Sequence, residues 1–397
     1  MSGESKCLKR HSRVKKLSGA APAVYRRRKG VSMNRLKEAR DTINTIDKQM
    51  AELFEQRMKA VEQICAYKIE NGLPIEDGSR EKDVIAKNSA YVADDVLREF
   101  YVNFIKSNMQ ISKNYQHRLM HGMKVAYCGV EGAFAQIAAR RIFPDAALSA
   151  FGDFRSAYEA CESGECDVVV LPIENSYAGD VGQVMDLLFG GSLYVNGVYD
   201  LGVIHNLIGV KGAQMSDIKT VISHPQALAQ CHKYIKEHGF AKQSYENTAM
   251  AAKAVAKAGD ISTAAIASKE TAKLYGLQIL DHDINASDRN TTRFAVLSRS
   301  RNIRKNHKGD HFIMMFTVAD ETGSLAKAIN VISQSGFNMQ VLRSRPLAQV
   351  SWQYYFFVEA VGDIYSEKGQ QMLKELNKYC NKIELIGSFN DIKQLSE

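Results

Sequence analysis

The hydrophobic period of this chain changes near residue 120, and that change commits it to at least two architectures joined end to end. From 34 to 118 apolar side chains recur at helical spacing, which predicts one long helix to about Asn71, a break at Gly72-Leu73-Pro74, a short helix after Gly78 and a third from about Asp94. From Lys124 onward, short apolar runs at 124–130, 167–173, 220–223, 264–267 and 294–298 alternate with helical stretches. Strands alternating with helices predict an α/β domain with a largely parallel sheet. Beyond a polar, basic stretch at 299–309 the pattern reads strand 312–318, helix 324–335, strands 339–343 and 353–360, helix 367–379 and strand 383–389, a βαββαβ ferredoxin-like order. The fold class is therefore multidomain: all-α, then α/β, then βαββαβ.

The net charge of +8 points to nucleic acid only until it is located. Residues 1–32 hold ten Lys and Arg against the single acid Glu4, so the other 365 residues sum to −1. No basic stripe survives in the body, which argues against a nucleic-acid partner. The basic extension of 1–32, expected to be disordered, reads as an anion-binding arm, as an organellar presequence or as sequence that is not translated. Seven cysteines without a CxxC pair or metal-type spacing point to reduced thiols, a cytoplasmic setting and no metal. No apolar run is long enough to span a bilayer, so no membrane partner is expected.

Within the first helix Ile43, Ile46, Met50 and Leu53, then Ala60 and Ile64, trace one apolar face that should be buried, and Arg57 occupies the slot between them. A guanidinium withdrawn from water costs several kcal/mol (about 3–5) unless anions meet it. Lys68, three turns on, returns to nearly the same face. Two inward cations describe either structural ion pairs or an anion-binding cavity. Arg40 lies 17 residues before Arg57, about 25 Å along a straight helix, too far to share a pocket within one chain. Asp77, Arg80 and Glu81 open the second helix as a charged cluster or a cap, and Ser112 and Gln116 place polar groups on the apolar face of the third.

Arg40, Arg57, Lys68, Asp77, Arg80, Glu81, Ser112 and Gln116 together resemble the substrate set of the all-helical chorismate mutase family, in which two chains interleave. The resemblance implies conversion of chorismate to prephenate. It assigns Arg57 and the partner chain's Arg40 to substrate carboxylates and Lys68 and Gln116 to the ether oxygen. Glu81 would hold a substrate hydroxyl, with Arg80, Asp77 and Ser112 as walls.

In the α/β segment, Pro172-Ile173-Glu174-Asn175 ends one apolar run and Ser223-His224-Pro225-Gln226 leaves another. Asn247-Thr248-Ala249 leaves a third, and Thr291-Thr292-Arg293-Phe294 opens the last. Ligands of open α/β sheets sit at such strand ends. From about 124 to 300 the segment resembles prephenate dehydratase, whose Thr-Arg-Phe hallmark stands at 292–294. The resemblance implies a two-lobed, periplasmic-binding-protein-like fold and loss of carbon dioxide and hydroxide from prephenate to give phenylpyruvate, with no cofactor. Thr292 is the candidate donor to the leaving hydroxyl, and Glu174, Asn175, Gln226, Thr248, Arg293 and Phe294 are candidate substrate contacts, with His224 secondary. Ala133 and Ala135 stand where the family often carries hydroxyls, so those contacts to a substrate carboxylate are either missing or replaced by backbone N–H groups, and substrate affinity is the quantity affected. A dehydrogenase would need GxGxxG after its first strand, and none is present there.

Residues 311–389 resemble an ACT domain of the phenylalanine-binding type. Gly323, Ser324 and Leu325 match its Gly-Ala-Leu loop, and Ser344, Arg345 and Pro346 match its Glu-Ser-Arg-Pro stretch, with Arg343 replacing the glutamate. The resemblance implies phenylalanine as effector. The expected division is 1–32 extension, 33–120 mutase, 123–300 dehydratase, 301–310 linker and 311–397 ACT regulatory domain, in a cytoplasmic homodimer or dimer of dimers. The rivals are a silent ligand-binding regulator on the same two-lobed fold and a nucleic-acid binder using its tail. Translation is expected to start at Met33, because Arg26-Arg27-Arg28-Lys29-Gly30 is encodable by a purine-rich ribosome-binding sequence. Mass spectrometry of protein from its native source should find no residue upstream of Met33, and an earlier terminus would reject this.

Overall fold

A computed structural model describes residues 33–287, 289–301, 309–347 and 353–395, with side chains from residue 35. The basic extension of 1–32 and most of the 301–310 linker lie outside the described residues. Two compact units divide between Tyr67 and Lys68.

The first unit consists, among the described residues, of α1 (Met33–Glu70) up to Tyr67. Neither Gly nor Pro interrupts this helix, and Thr42 and Thr45 fold their hydroxyls back onto the carbonyls of Glu38 and Asp41. Ile43, Ile46, Met50 and Leu53, expected to be buried, are exposed. The helix pattern was sound, but the face it traces is exposed among the described residues.

The second unit begins where α1 ends. Gly72 takes a left-handed φ of +62°, closing the helix with bonds from Gly72 N to Ile69 O and Leu73 N to Lys68 O. α2 (Gly78–Ser89) is capped by Asp77, and α3 (Asp95–His121) by Asp94, whose Oδ1 accepts from Val96 N and Leu97 N.

The α/β segment then builds two sheets. Its elements are β1 (Lys124–Cys128), α4 (Phe134–Ile142), β2 (Ala147–Phe151), α5 (Phe154–Ser163), β3 (Val168–Asn175), β4 (Gly179–Asp180), α6 (Gly182–Gly190) and β5 (Tyr194–Gly202). A second lobe holds β6 (Asn206–Gly209), β7 (Thr220–Ser223), α7 (Pro225–Gln230), α8 (His232–Glu237), β8 (Ala241–Ser244), α9 (Thr248–Ala258), β9 (Thr263–Ala267), α10 (Lys269–Leu274) and β10 (Gln278–Asp281). The chain then returns to the first lobe as β11 (Thr291–Ser298). The sheets are mixed, not largely parallel. β1 runs parallel to β2 and β3, while β11 lies antiparallel between β3 and β5, and β6 is antiparallel to β9 and β10. Strands that change lobe need no crossover helix and so escape the parallel rule.

The last segment is β12 (His311–Val318), α11 (Ser324–Gln334), β13 (Asn338–Pro346), β14 (Tyr354–Val361), α12 (Glu367–Leu376), β15 (Cys380–Phe389) and β16 (Lys393–Leu395). Its four long strands order as β13-β14-β12-β15, antiparallel throughout. They do not stand apart. β15 meets β5 through Gly387 and Val195, and β16 also pairs with β5, so the βαββαβ segment and the first lobe share an 11-stranded sheet. They share a core as well: Val169, Leu171 and Ile173 of the lobe cluster with Ile313, Met315, Tyr355 and Ile386.

A Cβ at Gly387 would collide with the Val195 carbonyl oxygen, so only glycine lets the strands meet there. Gly190, at the end of α6, has open space around its Cα. Gly387→Ala should therefore cost about 1–3 kcal/mol and lower the melting temperature, whereas Gly190→Ala should not. Equal melting of the two variants by calorimetry would refute the seam as a stabilising contact.

Candidate functional site

The two lobes enclose a cleft of about 460 Å³ lined by Asn175, Gln226, Thr248, Thr292 and Phe294, together with His205. Each lining side chain follows from a strand or helix end. Asn175 closes β3, Thr292 and Phe294 alternate on β11, Gln226 lies in the first turn of α7, and Thr248 opens α9 behind its cap Asn247.

The polarity of this cluster can be assigned from backbone donors that have no freedom to flip. Tyr177 N and Ala178 N both donate to Asn175 Oδ1, at 3.1 and 2.9 Å. The other end of that amide must therefore be nitrogen, and Nδ2 donates to Thr292 Oγ1 at 2.9 Å and to Asn290 Oδ1 at 3.1 Å. Gln226 Nε2 adds a third donor to Asn175 Oδ1, at 3.2 Å. Because Thr292 Oγ1 accepts from Asn175, its own hydrogen is left for a partner in the cleft.

His224 caps the six-residue α7: its Nδ1 accepts from Gln226 N at 3.3 Å, and burial lowers its pKa. A ring spent as an accepting cap is a poor general acid, which keeps it secondary to Thr292. At Ala133 and Ala135, also on the cleft, α4 begins without a side-chain cap. Its first-turn N–H groups are the donors that missing hydroxyls would leave to an anion.

Glu174 and Arg293 are not brought into the cleft. On β11 alternation turns Arg293 away from the face of Thr292 and Phe294, and the bulge that skips Ile173 where β3 pairs with β11 turns Glu174 the same way. There Arg293 Nε lies 3.2 Å from Asp200, with Glu359 at 3.5 Å and Glu174 at 3.7 Å from Nη1. Burial pushes Glu359 above the usual carboxylate range against the pull of Arg293. Arg343, expected beside an effector, instead reaches Glu174 at 2.5 Å and also pairs with Asp180. Arg345 points the same way, to Asp186 at 3.0 Å and to Tyr355. Ser344 and Pro346 alternate to the exposed face of β13. Gly323, with φ +83°, precedes α11, in which Ser324 is buried and Leu325 packs on the segment's core. These residues occupy three surfaces.

Of the helical residues, Arg40 and Arg57 lie in the first unit. Arg40 is exposed, and Arg57 is half-buried with its pKa lowered by desolvation. In the second unit Lys68 donates to Ile75 O at 2.6 Å. Asp77 is occupied as the cap of α2, accepting from Arg80 N and Ser79 Oγ, which holds its carboxyl below the usual range, and the Arg80 side chain is exposed. Glu81 pairs with Lys113 at 3.1 Å. Ser112 and Gln116 are both buried, Ser112 donating to Asn108 O and Gln116 Nε2 to Ser112 O.

Sequence reasoning missed His205, Gln230 and Asn290, all buried polar residues at the cleft floor. The available signal was a histidine inside the apolar run Val203-Ile204-His205-Asn206-Leu207-Ile208.

A helical segment followed by a two-lobed α/β domain with polar strand ends at its cleft defines a class of multidomain protein with a small-molecule site between its lobes. The prephenate dehydratase profile matches residues 125–302 and the chorismate mutase type II profile residues 39–117. A bifunctional chorismate mutase/prephenate dehydratase of Buchnera aphidicola from Acyrthosiphon pisum is 28% identical over 88% of this chain and 95% of its own length. A chloroplastic arogenate dehydratase/prephenate dehydratase of Arabidopsis thaliana is 31% identical over 78% of this chain and 84% of its own. Among solved structures, the prephenate dehydratase of Arthrobacter aurescens in complex with L-Phe superposes with a TM-score of 0.64 at 25% identity, covering 68% of this chain and 90% of that one. The chain belongs to the bifunctional chorismate mutase/prephenate dehydratase family.

With an amide at 116 the donor to an ether oxygen is always present; a carboxyl donates only when protonated. Gln116→Glu should therefore keep rearrangement activity at acid pH and lose it as pH rises through the carboxyl's pKa. Undiminished activity of that variant at about pH 8 would remove Gln116 from the role.

Proposed function

We infer that this chain rearranges chorismate to prephenate in its helical segment and converts prephenate to phenylpyruvate in the cleft of the α/β domain. The observation that carries the second step is the Asn175–Thr292 contact. In the elimination, the carbon–carboxylate bond breaks and its electron pair enters the ring. The carbon–oxygen bond opens as the ring becomes aromatic, and the departing hydroxide takes up a proton to leave as water. Aromatisation drives the step, so the protein need only orient prephenate and supply a donor to the leaving oxygen. Thr292 is our donor, because its oxygen is already saturated on the Asn175 side. Gln226, Thr248, Phe294 and the start of α4 would orient the substrate. Arg293 and Glu174 support the strands from the far face.

For the rearrangement we assign Arg57, with Arg40 of a second copy, to the two carboxylates of chorismate, and Lys68 and Gln116 to the ether oxygen. Glu81, held by Lys113, would take the substrate hydroxyl, and Asp77, Arg80 and Ser112 support the walls. The continuous α1 separates Arg40 from Arg57 by about 25 Å, and the exposed stripe of Ile43, Ile46, Met50 and Leu53 is the face that a homodimer, or a dimer of dimers, would cover.

We assign the βαββαβ segment as an ACT domain, with Gly323, Ser324, Leu325, Ser344, Arg345 and Pro346 as effector contacts, feedback inhibition by phenylalanine and domain limits as read from the sequence. The Arthrobacter aurescens relative binds L-Phe, which supports the choice of effector. Six described cysteines are free thiols, which suits a cytoplasmic setting. Among the described residues no helix is long and apolar enough to cross a membrane.

One assay tests the reading. Purified protein given chorismate should accumulate prephenate and then phenylpyruvate, the second step slowing on phenylalanine addition. Thr292→Ala should still form prephenate while phenylpyruvate formation falls about 100-fold or more. Unchanged phenylpyruvate formation in that variant would overturn the donor assignment.

A further inference from the structure

His205 sits in the segment joining β5 to β6, where the chain first leaves one lobe for the other. It is 2% exposed, lines the cleft, and packs against the Phe134 ring edge-to-face with centroids 5.7 Å apart. Its Nε2 lies 2.8 Å from Gln230 Oε1, and its Nδ1 makes no hydrogen bond among the described residues.

The amide polarity fixed at Asn175 propagates to this ring. Asn290 Oδ1 accepts from Asn175 Nδ2, so Asn290 presents oxygen to the cluster. The same oxygen takes Gln230 Nε2 as a second donor at 3.4 Å, where an amide oxygen would face it lone pair to lone pair. Gln230 must accordingly turn Oε1 toward His205, and Oε1 accepts only if the proton sits on Nε2. With the proton on Nδ1 instead, a buried donor would be orphaned and two lone pairs would face each other across 2.8 Å. The ring is thus a neutral Nε2–H donor, and burial, which lowers its pKa, keeps it so.

We propose that His205 is a positioning residue for the dehydratase reaction, closing a hydrogen-bonded relay His205–Gln230–Asn290–Asn175–Thr292 whose single direction aims the Thr292 hydrogen into the cleft. The proposal rests on the dehydratase reading above. The relay is fixed at one end by the backbone N–H groups of Tyr177 and Ala178, and at the other Gln230 Oε1 and the His205 ring hold each other, the ring in its Nε2–H tautomer. Losing the ring's donor frees Gln230 to flip. Its oxygen then opposes Asn290 Oδ1, Asn290 turns its nitrogen toward Asn175 Nδ2, and the Asn175–Thr292 contact is pushed apart. His205 touches no reacting atom in this scheme, so its loss lowers kcat and leaves KM nearly unchanged.

Substitution by amides separates this role from simple packing. The amide nitrogen of Gln reaches the place of Nε2, whereas that of Asn reaches only the place of Nδ1. In the full chain, His205→Gln should keep kcat for phenylpyruvate formation within about threefold, while His205→Asn should lose about 10- to 30-fold in kcat with KM within twofold. Gln230→Glu leaves the His205 donor satisfied but sets an oxygen against Asn290, and should lose kcat to a similar degree. The calorimetric melting temperature of each variant, kept within a few degrees of the parent, reports an intact fold. Equal losses for His205→Gln and His205→Asn, a loss confined to KM, or full kcat in Gln230→Glu would each overturn the relay. Should the parent itself form no phenylpyruvate from prephenate, the dehydratase reading fails first, and the proposal falls with it.

Discussion

The side-chain phase of β3, shifted once by the bulge at Ile173, organises this molecule more than any other constraint. Strand geometry turns Glu174 and Asn175 to opposite faces, although they are adjacent in sequence. Asn175 enters the cleft and holds Thr292, while Glu174 meets Arg343 of the βαββαβ segment. β11 repeats the division, with Thr292 and Phe294 on the cleft face and Arg293 on the other. A charge cluster and a neutral amide network thus lie on either side of one sheet. Keeping Glu174 and Arg293 on the other face leaves the Asn175–Thr292 amide network without an ion pair of its own, so hydrogen-bond direction determines its geometry.

Much of this was legible in the sequence. The helices came from uninterrupted 3.6-residue periodicity, and their limits from Asp77, Asp94 and Gly72, whose capping chemistry is local. The cleft was legible because Asn175, Gln226, Thr248 and Thr292 each end an apolar run. What escaped had no local signature. β2 and β8 are short and largely exposed, so they lack an apolar run, and the antiparallel placement of β11 depends on the chain returning from another lobe. Glu174 and Arg293 were read as cleft residues by proximity in sequence, where alternation on β11 and a bulge at Ile173 in β3 decide otherwise. His205 was overlooked because a lone histidine among apolar residues is ordinary; its partners lie 25 residues away in Gln230 and, through it, 60 further on in Asn290.

The union of the βαββαβ segment with the first lobe was also invisible to local reading. Its strands were expected as a separate unit beyond a linker, yet β15 continues the sheet through β5, and Ile313, Met315 and Tyr355 enter the lobe's own core. Arg343 and Arg345 add charged contacts on the same side. A shared core means that any rearrangement of β13 or β14 is felt at β3 through packed atoms, without a flexible connector to absorb it.

The two segments that pass between the lobes run side by side. Val203 N donates to Asn290 O, His205 N to Asn285 Oδ1, and Ile284 N to His205 O. They are the natural hinge, yet they also carry His205 and Asn290, while Gln226 and Gln230 belong to the second lobe and Asn175 and Thr292 to the first. The Asn175–Thr292 pair and the backbone groups that orient it belong wholly to the first lobe, so the second lobe contributes Gln226 and Gln230 to a donor already aimed. The paired segments therefore act as a gauge: their bonds set how far the second lobe's amides stand from a hydroxyl whose direction the first lobe has fixed.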